Sequence, residues 1–308
     1  MKKKKHFFKR LWRDRSLVLM ALPAVLLLVL FNYIPMTGLI LAFKRFDFSL
    51  GMYKSPWCGF ENFRYLFLVG DTFWKITRNT IGYYIAFTII GVVTEVMIAI
   101  GINELVFKRA GKIMQSIMIM PTFISYVAVS YVVYSLLRPT IGTIPQLLTS
   151  LGMKSPNFYM SKQYWPFILV IVNMWKNAGY GSVLYLATLT GIDPDLYETA
   201  ALDGATAIQK MRYITIPMLS SMIAVKVLLG LGNIMHSNTG LFYQTTRNMS
   251  PLYDTTQVID SYVLNAIMTA NNYGASAATT FYQSVIGLIM VVTVNLIVRK
   301  ISPEHSLF

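Results

Sequence analysis

Residues 17–43 read LVLMALPAVLLLVLFNYIPMTGLILAF, 27 consecutive positions without a charged side chain. Wound as an α-helix, such a run is about 40 Å long, enough to cross a hydrocarbon layer of ~30 Å. It exceeds the apolar core of a secretory signal and offers no small-residue cleavage site, so it is read as a retained helix. The same reading along the chain predicts six spans, near 17–43, 76–102, 113–137, 164–190, 217–240 and 281–298. With 55% hydrophobic and 13% charged residues over 308 positions, too little polar surface remains to cover a soluble globule. The expected fold is therefore all-α and polytopic. No linker or short repeat divides it, which gives one membrane domain over 17–300 between a basic segment, 1–16, and a tail, 301–308.

Charge sets the expected orientation. The net charge of +14 would point to nucleic acid in a soluble chain. Here Lys2, Lys3, Lys4, Lys5, Lys9, Arg10, Arg13 and Arg15 crowd before the first span, as a cytoplasmic topology signal does. With that end inside, the inner segments hold 15 Lys and Arg and the outer ones ten, so both termini are expected to be cytoplasmic. The first outer segment, 44–75, opposes the bias and is rich in aromatic residues, read as an interfacial belt, with a ligand platform or a docking surface for an external protein as the alternative. The single cysteine, Cys58, and the scattered His6, His236 and His305 give no metal site.

One segment interrupts the apolar pattern: GIDPDLYETAALDGATAIQKMRYITIP, residues 191–217. Asp193 before Pro194 reads as an N-cap and first helical position, with Asp195 and Glu198 near the positive end of the helix. The helix is expected to reach Leu202, turn at Asp203-Gly204, and resume until Ile216 meets Pro217. Four of the chain's 13 carboxylates fall within these first positions. Ala200, Ala201, Gly204 and Ala205 add a small-residue face, and together they suggest a knob shaped for insertion into a partner.

The segment resembles the EAA loop of binding-protein-dependent ABC importer permeases: E-A-A, three residues, G, nine residues, I, one residue, L-P. Glu198, Ala200, Gly204, Ile214 and Pro217 fall in register, Asp203-Gly204-Ala205 matches the usual D-G-A, and Thr199 and Ile216 depart conservatively. The wider chain, from PAVLLLVLFNYIPMTGLILAFKRF through GFENFRYLF to QVIDSYVLN, is similar to the maltose-permease-like carbohydrate branch, in its complex-oligosaccharide and polysaccharide subgroup. This resemblance implies a type I importer permease in a bacterial plasma membrane, moving an oligosaccharide inward by alternating access. It implies a second, related permease, two ATP-binding subunits, an extracytoplasmic solute-binding protein, and coupling through Glu198, Ala200, Ala201, Asp203, Gly204, Ala205, Ile214 and Pro217. ATP and Mg would sit on the partner ATPase, and this subunit would itself bind no cofactor.

A sugar path should pair aromatic faces with neutral hydrogen-bonding groups. Tyr131, Asn173, Lys176, Tyr180, Asn233 and His236 are the candidates, and Asn173, Lys176 and Tyr180 have the spacing to share a helix face. Lys176, Lys226 and Glu95 are ionisable groups within predicted spans, which favours a role for each. Glu95 could pair with Lys226, and Lys176 could meet a uronate or form an ion pair. The rival classes are an ion-coupled secondary transporter, for which Glu95 is thin support, and a membrane enzyme. The chain has no Gly-x-Ser-x-Gly elbow, His-Glu-x-x-His or P-loop to serve hydrolysis or ATP binding.

Overall fold

A computed structural model describes residues 13–68, 71–105 and 107–301. The basic residues before Arg13, together with His6 and His305, lie outside the described residues. The first long helix, Arg15–Phe43, changes pitch twice, through a π turn at Val29–Tyr33 and a 3-10 stretch over Pro35–Phe43. Its first 14 residues, Arg15–Leu28, bury nothing against the rest of the chain. The 3-10 part is where it docks, packing on the carboxy-terminal helix, Tyr273–Ile301. Phe43, Phe63 and Phe281 meet there at ring distances of 5.4 to 5.9 Å. Phe60 joins them, so part of the aromatic segment read as a belt is packing.

The centre of the bundle is the pair Thr72–Asn103 and Trp165–Thr190, the most extensive helix contact in the molecule. Trp165, Leu169 and Tyr185 are fully buried along the second helix. A third element approaches so closely that a side chain is excluded: a Cβ on Gly179 would lie 1.9 Å from the Met118 carbonyl oxygen.

Three expectations change. The span predicted at 113–137 is two helices, Arg109–Phe123 and Tyr126–Leu137, bent by 97°. Pro121 tightens the end of the first into a 3-10 turn, Ile124 and Ser125 are extended, and the Ser125 hydroxyl caps the second by accepting from Ala128 N at 3.2 Å. The loop's second helix does not stop at Pro217 but runs unbroken from Ala207 to Asn233. A π turn at Met211–Thr215 takes up the irregularity just before Pro217, at the start of the regular helix, where a missing N–H is tolerated. That helix ends seven residues before the predicted 240, leaving His236 in the connection beyond it and Gly240 at the start of a separate π turn, Gly240–Gln244.

Five of the six predicted spans are met by length and apolarity, the bent pair counted as one, and the sixth by length. Among the described residues four helices are long and apolar enough to cross a membrane, five with the bent pair taken as one span. Trp165–Thr190 has the length, 26 residues, but Asn173, Lys176 and Asn177 lower its hydropathy in mid-helix.

The segments at the end of the bundle remote from residues 191–217 are tied by charge. Asp254 meets Lys75 at 3.0 Å and also pairs with Lys162, joining the start of Thr72–Asn103 to two connections. These two ammonium groups hold its carboxyl down at about 2. A depressed carboxylate stabilises the fold fully above its unfolded value of 3.8 and loses that contribution as pH falls toward 2. Wild type is therefore expected to unfold at a higher temperature than Asp254→Asn at neutral pH, with the gap closing between pH 4 and pH 2. Gly179→Ala tests the close approach to Met118, and overpacking there is expected to cost about 1–3 kcal/mol, read as a lower unfolding temperature in detergent.

Candidate coupling loop and substrate cavity

The loop forms as its sequence dictates. Asp193 caps the helix Pro194–Leu202 by accepting from Asp195 N at 3.0 Å. The helix closes with two reversed backbone bonds, Gly204 N to Ala201 O at 3.1 Å and Ala205 N to Ala200 O at 2.9 Å. Gly204 has φ +79°, the left-handed value that such a stop requires and that glycine adopts without strain. A capping box between Thr206 and Gln209 then starts the long helix, and Tyr197 Oη lies 3.0 Å from Thr215 Oγ1, fastening the short helix to the long one.

The outward surface of this loop has no partner within the described residues. Glu198, Ala201, Asp203, Gly204 and Pro217 are exposed, and Ala200, Ala205 and Ile214 are half-buried. Leu202 is 89% exposed and Ile208 72%, apolar groups in a position where only another surface would cover them. Beneath the loop the long helix is fixed in the bundle through Ala99, Tyr185, Leu189 and Leu219.

A cavity of about 280 Å³ opens between Thr72–Asn103 and the helix ending at Asn233. Its wall carries Asn173, His236, Asn238, Tyr84 and Thr88 beside the ion pair of Glu95 with Lys226. The pairing weighed from the sequence therefore exists. Glu95 also presses on Gly181, where a Cβ would lie 2.0 Å from its carboxylate oxygen, and Lys226 lies 5.2 Å above the Tyr185 ring. At the cavity rim, Asp260 accepts from Ser237 N at 2.7 Å and Ser237 Oγ at 2.8 Å. Gln283, buried, lies 3.0 Å from Asp260 and 2.7 Å from the Met235 carbonyl, and His236 Nδ1 is 3.6 Å from Asp260. Asp260 and Gln283 carry no motif of their own, and the only signal in sequence is an acid in the otherwise neutral stretch QVIDSYVLN.

The six pathway candidates do not converge. Asn173 and His236 share the cavity, whereas Tyr180 is 63% exposed and Asn233 is exposed at a helix end. Tyr131 belongs to a second pocket, with Tyr243, Gln244 and Arg247. Lys176 turns away from both. Its ammonium donates to the carbonyls of Pro121 at 3.1 Å, Thr122 at 2.7 Å and Ile124 at 2.6 Å, and Thr122 Oγ1 donates back to the Lys176 carbonyl at 2.7 Å. It also sits 5.0 Å over the Tyr126 ring. The shared face predicted for Asn173, Lys176 and Tyr180 is thus divided among three surroundings, because the broken span lies along one side of the helix and claims the lysine.

The bundle thus carries an exposed, capped helical knob at one end and, between its central helices, a largely apolar cavity with amides and one ion pair in its wall. The family model for the binding-protein-dependent transport system inner membrane component matches residues 88–303. The chain belongs to this family. It is 29% identical over 306 residues to the polygalacturonan/rhamnogalacturonan transport system permease YteP of Bacillus subtilis, an alignment covering 98% of this chain and 93% of that one. Protein LplB of the same organism is 30% identical over 295 residues, covering 95% and 91%. Among solved structures, a chain of a bacterial ABC transporter that imports the acidic polysaccharide alginate superposes with a TM-score of 0.85 at 31% identity, covering 96% of this chain and 99% of that one. The fold is that of an ABC transporter permease.

Replacing Lys176 with Met keeps the stem and removes the three bonds at the break. Hydrogen bonds from a charged donor contribute about 1.5–3 kcal/mol each, so Lys176→Met is expected to lower the unfolding temperature clearly. A Lys176→Met permease as stable as wild type would show that the ammonium does not hold the bend.

Proposed function

We propose that this family member is the non-catalytic translocation subunit of an ATP-driven importer for an oligosaccharide, with residues 191–217 as the site where a separate ATPase engages. The observation that carries the reading is the loop itself: a helix capped at both ends, closed by a left-handed glycine, and presenting Glu198, Asp203 and the bare Leu202 outward. Two carboxylates suit basic or backbone donors in a cleft, and Ala200, Ala201 and Ala205 let the cleft wall come close. Ile214 and Pro217 lie at the root, where the π turn joins the knob to a helix that lines the cavity. A displacement of the knob would travel along that helix to Lys226 and the cavity wall.

The carbohydrate reading is supported by relatives named for sugar polymers and by a cavity combining tyrosine rings with Asn173, Asn238 and His236. In this reading the domain spans 17–300 in a bacterial plasma membrane, with residues 1–16 and 301–308 cytoplasmic. A related second permease would cover the bare face of Arg15–Leu28, two ATPases would bind at residues 191–217, and a solute-binding protein would dock on the other side. A solute-binding partner accords with the solved alginate transporter in complex with a pentasaccharide-bound periplasmic protein, whose permease is 30% identical to this chain.

Co-purification tests the coupling site. Wild type is expected to bring down the ATPase in a fixed ratio, and Gly204→Val, which the φ of +79° does not accommodate, should reduce recovery about tenfold or more while the permease still folds. Full recovery of an active ATPase with Gly204→Val and with Glu198→Ala would place the contact elsewhere.

A further inference from the structure

We propose that Arg247, with Arg138 beside it, forms an anion subsite at the external mouth of the permease that takes the carboxylate of a sugar unit, so that the transported oligosaccharide is a uronate. The inference rests on the carbohydrate-importer reading and narrows its substrate class. Both arginines converge on one aromatic ring: the guanidinium of Arg247 lies 4.2 Å from the Tyr134 centroid and that of Arg138 lies 5.8 Å from it. Arg247 is also 6.0 Å from the Tyr131 ring. Neither arginine forms an ion pair among the described residues, and the nearby acid, Asp254, is committed to Lys75 and Lys162. Two like charges sharing a ring without a counter-ion leave an unmet attraction for an anion.

The backbone aims Arg247 at some expense. Arg247 and Asn248 have φ of +55° and +50°, successive left-handed residues, a conformation unfavourable for arginine and more readily adopted by asparagine. Surrounding bonds hold the turn in that shape. Asn248 Nδ2 donates to Asn265 Oδ1 at 3.1 Å, Tyr253 Oη donates to Asn248 Oδ1 at 3.0 Å, and Asn265 Nδ2 donates to Tyr253 Oη at 3.1 Å. Tyr159 is buried, stacks edge-on against Tyr134 with centroids 5.5 Å apart, and donates to the Thr245 carbonyl at 3.4 Å, so ring and turn are braced together. Strain maintained by several elements around an exposed functional group is a feature of ligand sites.

A pocket of about 370 Å³ opens beside Arg247, and Arg138 and the Tyr134 ring stand outside its lining. Gln244 offers a neutral amide, Tyr131 and Tyr243 offer ring surface, and Arg247 supplies the cation, while Asn248 and Ser130 direct hydrogen bonds to Asn265 and to the Val127 carbonyl. Hydroxyls, C–H faces and a carboxylate are the three complementary features of a uronate, and the planar guanidinium matches a carboxylate with two parallel bonds. Tyr159 and Thr245 place the pocket beside the start of Trp165–Thr190, whose far end leads into residues 191–217 about 39 Å away. It therefore lies opposite the coupling loop, where a substrate would enter.

The test uses the whole transporter, reconstituted with its partner subunits and binding protein in proteoliposomes, with trigalacturonate and its trimethyl ester as probes. Wild type is expected to take up trigalacturonate, Arg247→Gln to lower that uptake about tenfold or more without changing ester uptake, and Arg247→Lys to fall between. Arg138→Gln is a second variant expected to act in the same direction, and ATP turnover reports that each variant is assembled. Equal losses for both probes would overturn the subsite and, with weakened binding-protein affinity, assign Arg247 to docking that protein. Wild type that imports maltotriose but not trigalacturonate would overturn the uronate inference and leave the importer reading standing. Import of neither sugar at normal ATP turnover would remove both.

Discussion

Inside a bilayer a backbone carbonyl that loses its helical donor has no water to replace it, and the break between Phe123 and Tyr126 frees several at once. Lys176 resolves this with one side chain. Its ammonium donates to three carbonyls of the broken segment, and Thr122 returns a bond to the lysine's own backbone. The 97° bend is therefore a property of two segments, the broken one and the helix Trp165–Thr190. Gly179, three residues on, removes the side chain that would hold them apart. The bend in turn directs Tyr126–Leu137 toward the turn at Arg247 and Asn248, so that Tyr131 and Tyr134 reach Arg247.

The second ionisable group of the interior follows the same rule. Glu95 and Lys226 neutralise each other across two helices, at the wall of a cavity whose remaining lining is aromatic and neutral. Lys226 belongs to the helix that begins within residues 191–217, so the pair links the knob's own helix to the central pair. A change in the knob's position has a direct mechanical route to the cavity: one continuous helix, Ala207–Asn233, with no break at Pro217.

Local rules explain why the loop was legible and the bundle interior was not. Asp193, Pro194, Gly204 and Thr206 act through bonds to their immediate neighbours, and each does what its position in sequence requires. Apolar length likewise exposed Arg15–Phe43 and Thr72–Asn103. Lys176, by contrast, was legible as an unusual charge but not as a clamp, because its three acceptors are 52 to 55 positions away. The break was hidden because Pro121, Ile124 and Ser125 lie in an apolar run, and only the lysine from another helix makes extended backbone tolerable there. Pro217 misled in the opposite sense, since a π turn before it carries the helix through. Asp260, Gln283 and Arg247 gain meaning only from long-range neighbours, so spacing could not single them out.

The central claim is that a partner's ATP cycle enters through the exposed knob at Pro194–Gly204. A photocrosslinking amino acid at Leu202, the most exposed apolar group there, tests it in the assembled transporter within native membranes. The account predicts a crosslink to the ATPase subunit whose yield changes when ATP is trapped. Crosslinks to lipid alone, or to the extracytoplasmic binding protein, would contradict it.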